Sequence, residues 1–143
     1  MPEVIGIDHI YITVSELERS KLFYDKVMKV LEFKTSEFKI KKENHIQYYN
    51  RYFSYVLRPS HSNVEHNSFA VGLHHICMRV HNKDDVQKAA KDLTEIGIEV
   101  SEPKLYSEYA HDYYAFFFKD PDGIELEITN YRQERRERYE NWV

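Results

Sequence analysis

GIDHIYITV at residues 6–14 recurs as GLHHICMRV at residues 72–80. The two copies align without a gap at an offset of 66 residues (72 − 6 = 66) and share four identical positions: Gly6/Gly72, His9/His75, Ile10/Ile76 and Val14/Val80. Apolar and polar residues alternate in both copies, which is typical of half-buried β-strands. The sequence therefore predicts an internal repeat in which each half begins with a strand.

Each copy is followed by the same order of predicted elements. A helix pattern comes first, and Ser15 with Glu18 predicts a capping box for the first helix, while Asn82 predicts a cap for the second. Three strand-like runs then follow in each half: LEFKTSEFKI, HIQYY and YFSYVLRP in the first, and GIEVSEP, DYYAFFF and IELEIT in the second. The order β-α-β-β-β thus occurs twice, in modules at about residues 6–58 and 72–129.

We expect one domain of residues 1–143, because modules of this size bury little surface alone. The predicted fold class is α+β: two paired βαβββ modules form a cupped mixed sheet with the helices on its outer face. The charge-dense stretch NYRQERRERYENWV predicts a short C-terminal helical tail.

Composition narrows the classes of function. The formal net charge of −4 does not indicate a nucleic-acid partner or an anionic membrane surface. The single cysteine excludes an internal disulfide framework and fits a reducing compartment. The start MPEVIGIDHI lacks a basic region followed by an apolar run, and no apolar stretch approaches the roughly 20 residues that cross a bilayer. We therefore expect a cytoplasmic protein without nucleic-acid or membrane partners.

The alternation also predicts which side chains share a face of the sheet. Apolar residues at positions 10, 12 and 14 are expected to pack under the first helix, which turns His9 to the open face. The same argument puts His75 and Glu127 on the open face. Two histidines and one carboxylate suit a divalent metal ion (Zn, Fe, Mn, Ni or Co) and leave positions open for water and substrate. The alternative is that both histidines are polar residues of the sheet core and that Glu127 is solvated.

The two strand copies, together with KDPDGIELEI at residues 119–128, resemble the vicinal oxygen chelate superfamily. This group includes glyoxalase I, methylmalonyl-CoA epimerase, fosfomycin-resistance transferases, extradiol dioxygenases and bleomycin-resistance proteins. The resemblance covers about residues 5–131, and the DPDG turn followed four residues later by Glu is its most specific part. It implies that His9, His75 and Glu127 are the metal ligands.

The resemblance also implies candidate catalytic residues. Glyoxalases and epimerases carry Glu or Gln on the last strand of the first half, and aligning YFSYVLRP by its alternation and its closing proline puts Tyr55 there. Extradiol dioxygenases carry a Tyr where this chain has Phe117, and His111 lies near their second-half His. Both departures favour a Lewis-acid site with three ligands, like that of the fosfomycin transferases. Tyr55 and His111, together with Tyr113, which the alternation puts on the open face, are the candidates for acid/base or supporting roles.

The predicted function is that of a metal-dependent vicinal oxygen chelate enzyme of lyase, transferase or dioxygenase type, which acts on a small oxygen-bearing substrate. The alternative is a metal-free small-molecule or drug-binding protein of the bleomycin-resistance type, whose aromatic-rich strands would stack on the ligand. On the open face, His45 is a candidate substrate contact or rim residue, and Arg79 is a candidate for binding a substrate carboxylate or phosphate. Because sheet edges are usually covered or paired, we also expect a homodimer with Tyr139 and Trp142 near its interface.

Overall fold

A computed structural model describes residues 1–143 and divides the chain into two compact units, Met1–Glu65 and His66–Val143. Each unit contains one four-stranded mixed sheet and one long helix. The α+β class and the βαβββ order of both modules are therefore confirmed. None of the helices combines the length and the apolar character that crossing a bilayer requires.

The first unit contains one helix and four strands, in the order β1 (His9–Val14), α1 (Leu17–Val30), β2 (Lys34–Ile40), β3 (Glu43–Tyr49) and β4 (Ser54–Pro59). The strands lie in the order β1-β4-β3-β2, with β1 parallel to β4 and the other neighbours antiparallel. One sheet face and the apolar stripe of α1 form the core, which includes Ile12, Val14, Tyr24, Val27, Met28, Ile46, Tyr48, Tyr55 and Leu57. The opposite face, which we call the open face, carries His9.

The second unit repeats this topology. Its elements are β5 (His75–Val80), α2 (Lys83–Glu95), β6 (Lys104–Leu105), β7 (Tyr114–Lys119), β8 (Glu125–Asn130) and α3 (Gln133–Glu140). The strand order is β5-β8-β7-β6, and β5 is parallel to β8. The core under α2 includes Ile76, Met78, Val86, Leu93, Phe116, Phe118, Leu126 and Ile128. The exposed helix α3 confirms the predicted helical tail.

The starts of the two long helices differ from each other. The predicted cap of α2 is confirmed, because the Asn82 side chain accepts a hydrogen bond from the backbone N–H of Asp85 at 2.9 Å. The predicted capping box of α1 is wrong, because Glu16 rather than Ser15 occupies the N-cap position. The helix begins one residue later than a box of Ser15 and Glu18 requires.

The run GIEVSEP, residues 97–103, is not the strand that the sequence predicts. Only Lys104–Leu105 pairs with β7. Before it, the Ser101 hydroxyl accepts the N–H of Phe117 at 2.8 Å, while the Ser101 N–H donates to the Phe117 carbonyl at 2.8 Å. A side chain thus replaces one bond of the ladder, and Pro103 has no N–H to donate. The edge strand is therefore short.

The DPDG turn joins β7 to β8 in a fixed register. The Asp120 carboxylate oxygen Oδ1 accepts the backbone N–H groups of Asp122 and Ile124, each at 2.9 Å. Gly123 has φ of +82°, which a side chain at that position would disfavour. Asp120 is 5% exposed, so these bonds form in a largely desolvated turn. The turn sets which residue of β8 reaches each face, and it places Glu127 on the open face.

Candidate metal-binding site

The open face of the second sheet brings His75 and Glu127 together. Because β5 and β8 are parallel neighbours, Cys77 lies directly opposite Glu127. His75 lies two residues before Cys77 on β5 and on the same face of the sheet. The imidazole Nε2 of His75 lies 3.2 Å from Oε1 of Glu127. The two side chains share the face that the alternation predicts for them.

Tyr113, the residue before β7, completes the surroundings of the Glu127 carboxylate. Its hydroxyl donates a hydrogen bond of 2.5 Å to Glu127 Oε2. The Glu127 side chain is only 3% exposed, and a buried carboxylate requires polar partners for its oxygens. Burial, and then the hydrogen bond to Glu127, raise the pKa of Tyr113 above its ordinary value. Tyr113 is therefore a protonated donor near neutral pH.

Cys77 lies beside this group. Although the residue is exposed, burial of the thiol and then the charge of Glu127 raise its pKa to about 12. The thiol is therefore protonated at neutral pH, and a metal ion would have to displace its proton in order to bind the sulfur. No group of three or more His, Cys, Asp or Glu side chains is arranged to hold a metal ion.

The geometry of the His75–Glu127 pair is that of two neighbouring ligands. Two donors about 2.1 Å from one ion lie about 3.0 Å apart in octahedral and about 3.4 Å apart in tetrahedral coordination. The separation of 3.2 Å between Nε2 and Oε1 falls within this range. The Nδ1 atom of His75 lies 2.8 Å from Nδ1 of His74, so a neighbouring side chain holds the ring with Nε2 toward Glu127. The pair therefore fits two positions of a divalent metal site.

His9 lies in the first unit, on the open face of β1. Its Nδ1 atom lies 2.7 Å from Oδ2 of Asp8. A carboxylate at Nδ1 favours the tautomer in which Nε2 has a free lone pair, as metal-binding histidines require. The predicted facing of His9 is confirmed, and its role as a ligand stays a prediction.

Tyr55 does not lie on the open face, which corrects the sequence alignment of β4. Its side chain is 0% exposed in the core under α1, where its hydroxyl lies 2.9 Å from that of Tyr24. In the register of the parallel pair, Ile10 lies opposite Tyr55, and Tyr11 lies opposite Val56. The predicted position was wrong by one residue, and a slip of one residue moves a side chain to the other face.

Val56 therefore occupies the position in the first unit that Glu127 occupies in the second. Tyr11 faces Val56 in one parallel pair, and Cys77 faces Glu127 in the other. The open-face residues of β4 include no carboxylate. The expectation that this position on β4 lacks a carboxylate base therefore holds, but the residue there is Val56 and not Tyr55.

Replacing Tyr55 by Phe tests this placement. Because the change removes one buried hydrogen bond, we expect Tyr55→Phe to lower the free energy of unfolding by about 1 kcal/mol. Metal uptake should be unchanged. Urea unfolding and metal analysis measure the two effects, with the exposed Tyr52→Phe as the control. Loss of metal uptake in Tyr55→Phe alone would contradict the placement.

His111 and His45 are two further candidates from the sequence. The His111 imidazole is 75% exposed and lies 3.8 Å from Asp112 Oδ1, in the loop before β7. His45 is buried on the open face of the first sheet, where it stacks on Phe38 and its Nδ1 contacts the Glu43 carbonyl at 3.0 Å. The roles of both residues stay predictions.

The structure also adds residues that the sequence does not indicate. Tyr106 and Tyr109 form an aromatic cluster with Tyr113 and Phe117 beside Glu127. Phe117 lies directly opposite Glu127 in the β7–β8 ladder. Tyr106 and Tyr109 come from a loop without periodicity, so no pattern could place them. The guanidinium of Arg132, at the start of the charge-dense tail, lies 4.4 Å from the centre of the Tyr113 ring.

Two βαβββ modules, with a histidine and a carboxylate meeting on an open sheet face, define a class of protein that the sequence comparisons name. Residues 6–128 match the family model of the Glyoxalase/Bleomycin resistance protein/Dioxygenase superfamily. The chain belongs to this superfamily. A comparison with curated proteins gives no match.

Solved structures share this fold over nearly the whole chain. The structure of SMU.1112c is 26% identical, covers 89% of this chain and 99% of its own, and superposes with a TM-score of 0.71. A glyoxylase/bleomycin resistance protein/dioxygenase domain from Frankia sp. EAN1pec is 19% identical, with coverages of 91% and 100% and a TM-score of 0.73. The fosfomycin resistance protein FosX from Listeria monocytogenes is 15% identical, with coverages of 94% and 99% and a TM-score of 0.65. At such identities the last two establish the fold alone.

Proposed function

We propose that this protein is a metal-dependent enzyme of the vicinal oxygen chelate type, acting on a small oxygen-bearing substrate. His75 and Glu127 are two of the proposed ligands, and His9 is the third. The observation that supports this proposal is the 3.2 Å contact between His75 Nε2 and the buried Glu127 carboxylate. A bound divalent ion supplies Lewis-acid stabilisation of negative charge on substrate oxygens.

The chain's own residues orient this site. Tyr113 holds Glu127 Oε2 through its O–H, which leaves Oε1 directed toward His75. Because its pKa is raised, Tyr113 serves as a hydrogen-bond donor rather than as a base. The aromatic cluster provides apolar surface beside the carboxylate, whose side chain is buried.

The residues around the site favour addition, elimination or group transfer among the reactions of the superfamily. A glyoxalase-type proton transfer needs a carboxylate on β4, where this chain has Val56. Ring cleavage by a dioxygenase would lack the tyrosine that assists it, because this chain has Phe117 at that position. Parallel assays with methylglyoxal plus glutathione, catechols plus Fe²⁺, and fosfomycin plus a thiol distinguish these classes. Robust activity with either of the first two substrates would contradict this assignment.

Metal uptake is the direct test of the proposed function. Protein purified without added metal is analysed for its elements and then dialysed against one equivalent each of Zn²⁺, Fe²⁺, Mn²⁺, Ni²⁺ and Co²⁺ in separate experiments. We expect one ion per chain with at least one of these metals, and a higher melting temperature when it binds. No uptake of any of them would refute the proposal.

A metal-free binding protein is the second candidate, and the aromatic cluster favours it. Its rings have centroids 5.2 to 6.4 Å apart and offer faces and edges for stacking on an aromatic ligand. For such a protein, binding of an aromatic ligand would be unaffected by a chelator and by the loss of Glu127. For a metal-dependent enzyme, both the chelator and the loss of Glu127 would weaken binding of the ligand.

We also propose that the chain forms a homodimer in the cytoplasm. Apolar side chains that precede the first strand of each unit are exposed: Val4, Ile5, Ile7, Phe69, Val71 and Leu73. In each unit by itself, a run of exposed apolar residues of this kind is typical of an interaction surface. We expect sedimentation to give a dimer at micromolar concentration and the double variant Ile5→Asp/Val71→Asp to be monomeric. A monomeric parent protein would contradict the proposal.

A further inference from the structure

Arg79 lies on the open face of the second sheet without a carboxylate partner. It is two residues beyond Cys77 on β5 and opposite Thr129 on β8. Its guanidinium stacks over the ring of Tyr131, with the carbon Cζ 3.9 Å from the ring centre. Stacking orients the guanidinium plane but leaves its N–H donors unused.

Arg132 brings a second guanidinium to the same end of the sheet. Its side chain is 12% exposed and covers the ring of Tyr113, whose hydroxyl binds Glu127. Its Nε atom lies 3.3 Å from Glu134, and no other carboxylate pairs with it. The Arg132 charge is therefore one side chain away from the proposed metal ligand.

Arg135 adds a third positive charge close to these two. Burial lowers the pKa of Arg135, and repulsion from Arg138, Arg79 and Arg132 lowers it further. Glu134 offsets part of this repulsion, and an excess of like charge held together is typical of sites that receive a charged ligand. Arg136 differs, since it donates to the His81 carbonyl at 2.8 Å.

We propose that Arg79 and Arg132 form an anion subsite beside Glu127, and that the substrate is a small molecule carrying a phosphate, phosphonate or carboxylate group. The assignment to a substrate rests on the proposed function, whereas the anion subsite itself does not require a metal. Guanidinium groups bind such oxyanions through paired N–H donors. The oxygens of the substrate that react would then lie toward Glu127, with its charged group toward the arginines.

Titration with inorganic phosphate and with methylphosphonate tests the subsite. The full chain is kept in a chelator so that no metal contributes, the ionic strength is held constant with chloride, and binding is followed by calorimetry. We expect saturable binding of at least one of the two anions. Arg79→Gln should weaken it at least tenfold, and so should Arg132→Gln, because a charge-assisted hydrogen bond is lost in each.

Arg51→Gln is the matched control, because Arg51 is an exposed arginine of the first unit. It should bind the anion like the parent protein. Arg132→Lys keeps the charge and tests whether a loss of anion binding in Arg132→Gln reflects misfolding. If every Arg132 variant unfolds, the variant of the exposed Arg79 still tests the subsite. Parent-like binding in Arg79→Gln, or an equal loss in Arg51→Gln, would overturn the subsite.

Metal uptake by the same variants separates this proposal from the proposed function. Arg79→Gln should take up metal like the parent protein, because Arg79 is not a ligand. Anion binding without any metal uptake would support the subsite and refute the metal-dependent function. Metal uptake without binding of either anion would support the metal-dependent function and refute the subsite.

Discussion

Glu127→Gln is expected to lower the affinity for divalent metal by at least about a hundredfold, since the loss of a ligand should exceed that of a supporting residue. The amide retains an oxygen that can accept the Tyr113 hydrogen bond, but it loses the negative charge that faces His75. The fold is therefore expected to persist while the metal dissociates. Equilibrium dialysis with elemental analysis measures the loss, and the metal-induced rise in melting temperature should disappear with it.

Glu125→Gln is the matched control for this variant. Glu125 lies on the same strand and the same face, two residues before Glu127. The substitution changes the net charge of the protein by the same amount, so an effect of overall charge would appear in both variants. Parent-like metal affinity in Glu127→Gln, or equal losses in the two variants, would show that Glu127 is not a ligand.

Asp120→Ala is expected to produce the largest loss of stability, about 2–4 kcal/mol in the free energy of unfolding. The substitution leaves the backbone N–H groups of Asp122 and Ile124 without their acceptor in a nearly buried turn. Each unsatisfied buried group costs about 1–3 kcal/mol. Urea denaturation followed by circular dichroism measures the change.

Asp120→Asn is the control, because its amide oxygen can occupy the Oδ1 position and accept both bonds. We expect it to retain most of the stability that Asp120→Ala loses. A loss below about 0.5 kcal/mol in Asp120→Ala, the range of ordinary surface substitutions, would show that the turn does not depend on these bonds.

The repeated strand motif, with the helix patterns and the alternating runs that follow it, was sufficient to predict the βαβββ order of both units and the facing of His9, His75 and Glu127. These features depend on local patterns, since side chains alternate along any strand and apolar side chains face the helix. The cap at Asn82 was also predictable, because capping involves only the next few residues.

The position of Tyr55 could not be predicted in this way. Val56 and Leu57 are both apolar and lie in the same strand, so the alternation fits two registers that differ by one residue. Hydrogen bonds with β1, more than 40 residues away in sequence (54 − 9 = 45), select the register that buries Tyr55. Pairing between distant segments therefore selects the register of β4, and a local pattern contains no information about that pairing.

The surroundings of Glu127 depend on the same kind of long-range pairing. The β7–β8 ladder and the loop before it bring Tyr113 to Glu127, and the chain after β8 brings Arg132 over the Tyr113 ring. The loop and the tail have no apolar period that would predict their course. Local alternation therefore assigned each ligand candidate to a face of its sheet. Only the tertiary fold determined the neighbours of that residue. Those neighbours come from segments whose positions are set by packing against distant parts of the chain rather than by a local sequence pattern.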